Sequence, residues 1–299
     1  MSIATAAATE TAAARRRGLT VAARPYLLIA PSLVFLLLLF LVPLLQTIAL
    51  AFHTGAGPGF GNFAAMLDDL DFNAAVRDTF ALVIVVVPLQ LALALGMSMM
   101  LRHLRRGRDL VLWIWSIPLG ISDLAAGLVW LAILTDKGYL NTVLFHLGAI
   151  ARPQSWLTYE TPFTLFLAIL AAEMWRATAI VFVILVAGVQ LVPREFEEAA
   201  SVFGATPWQR FRRVTLPLLR PSIQTALILR TVLAFETFAV VLAIGGRNFP
   251  VLISQAFEWQ NAEQNYGVAA AYAVLIMAIT LAATLVFLIA LRPRAGEAT

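Results

Sequence analysis

Six stretches of this chain are long and apolar enough to cross a bilayer, and nothing else in the sequence constrains the fold as strongly. They run roughly Tyr26–Phe52, Phe80–Leu101, Leu110–Leu134, Pro162–Leu191, Ile223–Ile244 and Val268–Leu291. A helix needs about 20 apolar residues to span the hydrocarbon core. Each run is too long for a buried strand of a soluble protein. None alternates like the short strands of a membrane barrel. The bilayer leaves only helices or closed barrels, because each backbone polar group must be satisfied inside the protein. The expected fold is therefore an all-α polytopic membrane protein with six transmembrane helices. The chain is 61% hydrophobic and 13% charged, about half the charged share of a soluble domain.

The first run follows Arg15, Arg16 and Arg17 and contains Pro43. It exceeds the apolar region of a cleavable signal peptide, so an uncleaved signal-anchor helix is expected. Residues 1–24 read as a disordered tail, 25–292 as the membrane domain, and 293–299 as a second tail. The chain has no cysteine, which excludes disulfides and thiolate chemistry. His53, His103 and His146 lie far apart, so no metal site is expected. No glycine-rich phosphate loop is present. No catalytic residue and no cofactor are assigned to this chain.

Fifteen of the 21 basic residues fall on one set of alternating connections. They are Arg15, Arg16, Arg17 and Arg24; Arg102, Arg105, Arg106 and Arg108; Arg194, Arg210, Arg212, Arg213 and Arg220; and Arg292 and Arg294. Only Arg77, Lys137, Arg152 and Arg247 fall on the other set, and Arg176 and Arg230 lie within runs. Basic residues favour the cytoplasmic side of short loops, so both termini are expected inside. The opposite face carries Asp68, Asp69, Asp71, Asp136, Glu160, Glu258 and Glu263 on short loops. Capture of a solute outside would require another protein.

One inward connection, about residues 193–221, has the grammar of helix, elbow, helix. Pro193 suits a first helical position, and Glu195, Glu197 and Glu198 favour the positive end of a helix dipole. Gly204 suits a left-handed C-terminal position. Thr206, Pro207 and Gln209 form a capping-box pattern for a second helix. Phe196, Ala199, Ala200 and Phe203 share one apolar face. Such a helix could simply lie on lipid headgroups. The small Ala199–Ala200 pair also permits close approach to another protein.

Glu198-Ala199-Ala200, three residues, Gly204, nine residues, Val214, Thr215 and Leu216-Pro217 match the EAA loop of binding-protein-dependent ABC importer permeases, with valine where isoleucine is usual. Pro118–Asp123 with Trp130 and Gly138–Asn141 resembles the third-helix region of carbohydrate-type permeases. Trp175-Arg176 and Ala187–Pro193 resemble their fourth-helix exit. The likeness covers about residues 25–292. It implies that Glu198, Ala199, Ala200, Gly204, Leu216 and Pro217 couple the chain to a cytoplasmic ATPase. It also implies a second homologous permease, two ATP-binding cassette subunits that bind the ATP, and an extracytoplasmic solute-binding protein. The setting would be the inner membrane of a bacterium or archaeon, with lipid around the chain and no nucleic-acid partner.

Asp123, Glu173, Arg176, Arg230 and Glu236 fall within or near apolar runs. A charge at mid-membrane costs about 2.5–3.5 kcal/mol on insertion scales, so such residues face partners or a water-filled path. Glu173 and Arg176 are three apart and could pair locally as a structural salt bridge. Arg230 and Glu236 should find partners elsewhere. Asp123 and Glu236 either line a path or, for Asp123, cap a broken helix. These five and Trp130 are the candidate translocation residues. Trp130, Trp175 and Phe235 could stack on sugar rings or merely pack the bundle. A sugar or oligosaccharide is the expected solute, with glycerol phosphate or polyamine as alternatives. An ion-coupled carrier is the other class, although no internal repeat is visible. A membrane-embedded enzyme would need clustered acids or ligands at one depth, which the sequence lacks.

Overall fold

The computed structural model describes residues 26, 28–55, 57–104 and 106–291. The tails 1–24 and 293–299, with Arg105 and Arg292, lie outside the described residues. Most of the described residues are helical, and the strands among them form one two-stranded hairpin, β1 (His53–Thr54) with β2 (Gly57–Pro58). Among the described residues, five helices are long and apolar enough to cross a membrane, or six if one bent pair counts as a span.

Helix α1 (Leu28–Ala51) keeps most of its apolar surface turned outward. A π-helical turn at Leu37–Leu41 lies just before Pro43. Proline lacks an N–H and crowds the preceding turn; the wider turn relieves this. Short α2 (Gly61–Leu67) is tied back by Asn62, whose amide donates to the carbonyls of Ala51 and His53 at 3.2 and 2.9 Å.

The centre of the bundle is α3 (Phe72–His103) against α7 (Pro162–Leu191). Between them in sequence come α4 (Arg108–Ser116), α5 (Asp123–Leu134) and α6 (Tyr139–His146). The third apolar run is thus not one helix over Leu110–Leu134. A 3₁₀ turn at Ile117–Gly120 interrupts it, with Pro118 inside, and Ser122 then caps α5 by accepting from the Ala125 N–H at 3.2 Å. The stretch fit to span is Asp123–His146. Buried Asn141 staples the following loop. Its amide donates to the carbonyl of Gln154 at 2.8 Å, and its Oδ1 accepts from Trp156 Nε1 at 3.0 Å.

The second half contains α8 (Arg194–Val202), α9 (Pro207–Leu218), α10 (Arg220–Phe235), α11 (Ala239–Ile244), α12 (Leu252–Asn261) and α13 (Tyr266–Ala290). The fifth run also departs from expectation. The helix stops at Phe235, Glu236 serves as C-cap, and α11 restarts at Ala239. Neither proline nor glycine marks this break. The Thr237 N–H turns back to the Ala234 carbonyl, and its hydroxyl binds the Leu233 carbonyl at 3.2 Å. The candidate span is instead α9 with α10, bent by 68° at Leu219.

Several helices approach closely at glycines, Gly127 and Gly188 among them. A Cβ on Gly127 would sit 2.7 Å from Ala243 Cβ, and one on Gly188 would sit 2.2 Å from Ser222 Oγ. Small residues let membrane helices pack backbone to backbone. Three apolar clusters fill the interior. One joins α3, α10, α12 and α13 around Phe235 and Tyr272. A second joins α3, α7 and α11 around Ile169. The third joins α3, α7 and α10 around Phe182.

Candidate functional site

The 193–221 segment forms the elbow its sequence foretells. Helix α8 occupies Arg194–Val202, with Pro193 one place before it at the N-cap. Gly204 adopts φ +78°, a left-handed conformation that suits glycine best. The amides of Gly204 and Ala205 return to the carbonyls of Ser201 and Ala200 at 3.0 Å. Thr206 and Gln209 complete a capping box at the start of α9. A second π turn, Phe211–Thr215, comes just before Pro217, the same arrangement as before Pro43. Leu216 and Pro217 carry the chain into the bend at fully buried Leu219.

The elbow is fixed to the bundle by contacts that local spacing does not encode. Glu197 accepts from Thr215 Oγ1 at 2.7 Å, which holds α8 against α9. Its other oxygen lies 3.4 Å from Arg102 Nη2. Arg102, at the end of α3, also donates to the carbonyls of Val189 and Val192 at 3.1 and 3.3 Å. A cation there satisfies the orphan carbonyls at the end of α7. The adjacent acids therefore divide their work: Glu197 turns inward, and Glu198 stays exposed with no ion pair among the described residues. A Glu-Glu pair beginning an amphipathic helix was the available signal, since only one of two consecutive residues can face the bundle.

The outward side of the elbow is apolar. Phe196 and Trp208 are exposed, and Val202 and Phe203 are 86% and 90% exposed. Ala199 is exposed and Ala200 half-buried. Phe196, Ala199, Ala200 and Phe203 share one helix face by their spacing, next in sequence to the exposed Glu198 carboxylate.

The charges of the apolar runs pair differently from the local pairing that spacing suggests. Glu173 does not bridge to Arg176. Its Oε2 accepts from Arg230 Nη2 at 2.7 Å, and both side chains are almost wholly buried. Arg230 Nε also donates to Gln90 Oε1, and Gln90 Nε2 donates to the Glu173 carbonyl at 2.8 Å. Arg176 meets Asp123 instead, Nη1 to Oδ1 at 2.7 Å. The reason is three-dimensional. Helix α10 brings Arg230 onto Glu173, while the first turn of α5 offers Asp123 to Arg176. Gln90, a lone amide in an apolar run, was the legible hint of this node. Asp123 is half-exposed and Glu236 is exposed at the break between α10 and α11. Trp130 packs against the α3–α7–α11 core, and Phe235 stacks edge-on with Phe80 at 5.5 Å.

The elbow is thus clamped to a bundle of spanning helices and leaves apolar side chains turned outward. Residues 92–294 match the family of inner membrane components of binding-protein-dependent transport systems, and the chain belongs to that family. It is 30% identical over 276 residues to the trehalose/maltose transport system permease protein of Thermococcus litoralis, covering 88% of this chain and 92% of that one. It is 28% identical over 271 residues to the alpha-glucoside transport system permease protein of Rhizobium meliloti, covering 86% and 79%. Its fold is similar to a chain of a bacterial ABC transporter involved in the import of the acidic polysaccharide alginate. That match has a TM-score of 0.79 at 20% identity, over 93% of this chain and 99% of that chain. The family is one of permease subunits rather than enzymes.

Proposed function

We propose that this chain forms half of the pathway of an ATP-driven importer for a sugar or oligosaccharide, and that the names of two of its relatives favour α-linked glucosides. A second homologous permease supplies the other half. An extracytoplasmic binding protein delivers the solute, and two ATPase chains bind and hydrolyse ATP. The observation that carries this reading is the outward face of the elbow. Phe196, Phe203 and Glu198 stand on a rigid handle that Glu197 and Arg102 fix to α3 and α7. A rigid handle transmits motion from a docked ATPase into the helices. The solute class is tested by thermal shift of the cognate binding protein against maltose, trehalose and longer α-glucosides. Stabilisation by none of them, with stabilisation by glycerol phosphate or a polyamine, contradicts the sugar assignment.

The reading places Phe203 in the cytoplasm and Asp69 and Glu258 outside. Single cysteines at these positions can be probed in intact cells with an impermeant thiol reagent, because the chain has no native cysteine. Labelling is expected at 69 and 258 and not at 203. Labelling at 203 from outside reverses the topology.

Asp123, half-exposed in the first turn of α5, and Glu236, exposed at the break after α10, line the solute path in this reading. Asp123→Asn and Glu236→Gln are each expected to lower uptake about tenfold or more, the scale of one lost charge-assisted hydrogen bond. Unchanged affinity and rate in both variants remove them from the path.

A further inference from the structure

A recess of about 220 Å³ opens between α11 and α12, at the far end of the bundle from the elbow. Phe238 and Phe257 line it and lie against each other, with ring centroids 4.9 Å apart. Gln255 and Asp71 add polar groups to the lining. Gln255 is only 5% exposed, yet its side-chain amide has no hydrogen bond among the described residues. Buried amides are nearly always partnered, so an orphan one asks for a ligand. The Asp71 carboxylate also has no hydrogen bond or ion pair among the described residues. Arg247 and Glu258, which border the recess, pair with each other. Helix α12 is anchored on its other faces. The Leu252 N–H donates to Thr79 Oγ1 at 2.9 Å, and Trp259 Nε1 donates to Asp69 Oδ2 at 2.7 Å. The wall that carries Gln255 and Phe257 is therefore set before a ligand arrives.

We propose that this recess is an entry subsite for one sugar ring, distinct from the positions of Asp123 and Glu236. Phe238 and Phe257 take the apolar C–H face of the ring. Gln255 both donates to and accepts from its hydroxyls, and Asp71 accepts from them. Mostly apolar walls with a few convergent polar groups are the usual make-up of a small-molecule site. The recess offers an anionic solute no unpaired cation, since its arginine is already bridged to Glu258. The proposal rests on the sugar reading and on the outward placement of Glu258 given above. Phe238 follows Glu236 by two residues, so the recess adjoins the helix break that the same reading puts on the solute path.

The test uses the full transporter complex in membranes and the absence of native cysteine. Asn261→Cys puts a thiol on the border of the recess, and Glu263→Cys puts one on the exposed turn outside its lining. Labelling of this chain by an impermeant thiol reagent is followed with maltose, trehalose or methyl α-glucoside present, and with open-chain sorbitol as control. The three sugars should slow labelling at 261 about fivefold or more and leave 263 unchanged. Phe257→Ala and Gln255→Leu should each raise the half-protecting sugar concentration about fivefold, the scale of one aromatic contact or one hydrogen bond. Both variants should keep normal abundance and a bound ATPase, and Asp123→Asn should leave protection at 261 intact. Equal protection by sorbitol overturns the proposal. Weaker capture of the binding protein by the Phe257 and Gln255 variants, with sugar protection unchanged, makes the recess a protein-docking surface and also overturns it. Stabilisation of the cognate binding protein by maltose or trehalose, with no protection at 261, removes this subsite and leaves the sugar reading standing. Stabilisation of that protein by no sugar removes both.

Discussion

Glu198→Lys is expected to reach the membrane in normal amount, lose uptake and release its ATPase subunit. The exposed Glu198 side chain supports nothing inside the chain, because the neighbouring Glu197 makes the contacts to Thr215 and Arg102. A cation on the docking partner would change from an attraction to a repulsion. For a desolvated contact that costs about 2–5 kcal/mol, or about thirtyfold or more in affinity. Glu197→Lys should behave otherwise: it places a cation beside Arg102 and frees α8 from α9, so the chain itself should become less stable. Gly204 provides a second arm. A Cβ there meets nothing within 4 Å, but φ is +78°. The penalty is therefore conformational and not steric. Gly204→Val should abolish coupling, and Gly204→Asn, which tolerates the left-handed region, should retain most of it. Co-purification of the ATPase with membrane abundance separates these outcomes. If Glu198→Lys binds the ATPase and transports normally, the residue has no coupling role.

The largest stability effect is expected at the buried node of Gln90, Glu173 and Arg230. Glu173→Leu leaves the Arg230 guanidinium inside the bundle without its carboxylate. Breaking a buried pair from one side costs about 3–5 kcal/mol, whereas replacing both partners by apolar residues of similar volume is often nearly neutral. Glu173→Leu and Arg230→Met should therefore each fail to accumulate, and the double variant should recover much of the lost abundance and thermal stability. The same logic predicts little from Arg176→Gln, because its partner Asp123 is 46% exposed and solvated pairs contribute about 0–1 kcal/mol. Wild-type stability in the Glu173→Leu single variant would show that the node does not hold the helices.

The elbow was legible because its signals are local. A left-handed glycine, a capping box and a first-turn proline each act within a few residues, and Gly204, Thr206, Gln209 and Pro207 adopt the conformations their chemistry favours. Four of the six spanning runs were legible because sustained apolarity with no strand alternation leaves a helix as the solution in a bilayer; Leu110–Leu134 and Ile223–Ile244 break into shorter helices. The partners of buried charges were not. Arg230 meets Glu173 and Gln90 across 57 and 140 residues, and no periodicity encodes which helices will adjoin. The break at Glu236 was equally hidden. It lacks proline and glycine, and it depends on Thr237 and Phe238 leaving the helix once neighbouring helices are in place. Phe235 illustrates the limit for aromatic residues: its sequence position suits a sugar platform, and its packing against Phe80 makes it core.

The central claim is that this chain moves solute only as one part of an ATP-driven assembly. Proteoliposomes holding this chain, its homologous permease and the ATPase subunits would be loaded with Mg-ATP. They would be given the binding protein and a radiolabelled α-glucoside outside. The account predicts accumulation that requires ATP and the binding protein and disappears with Glu198→Lys. Accumulation by the chain alone under a proton or sodium gradient, without ATP, would contradict it.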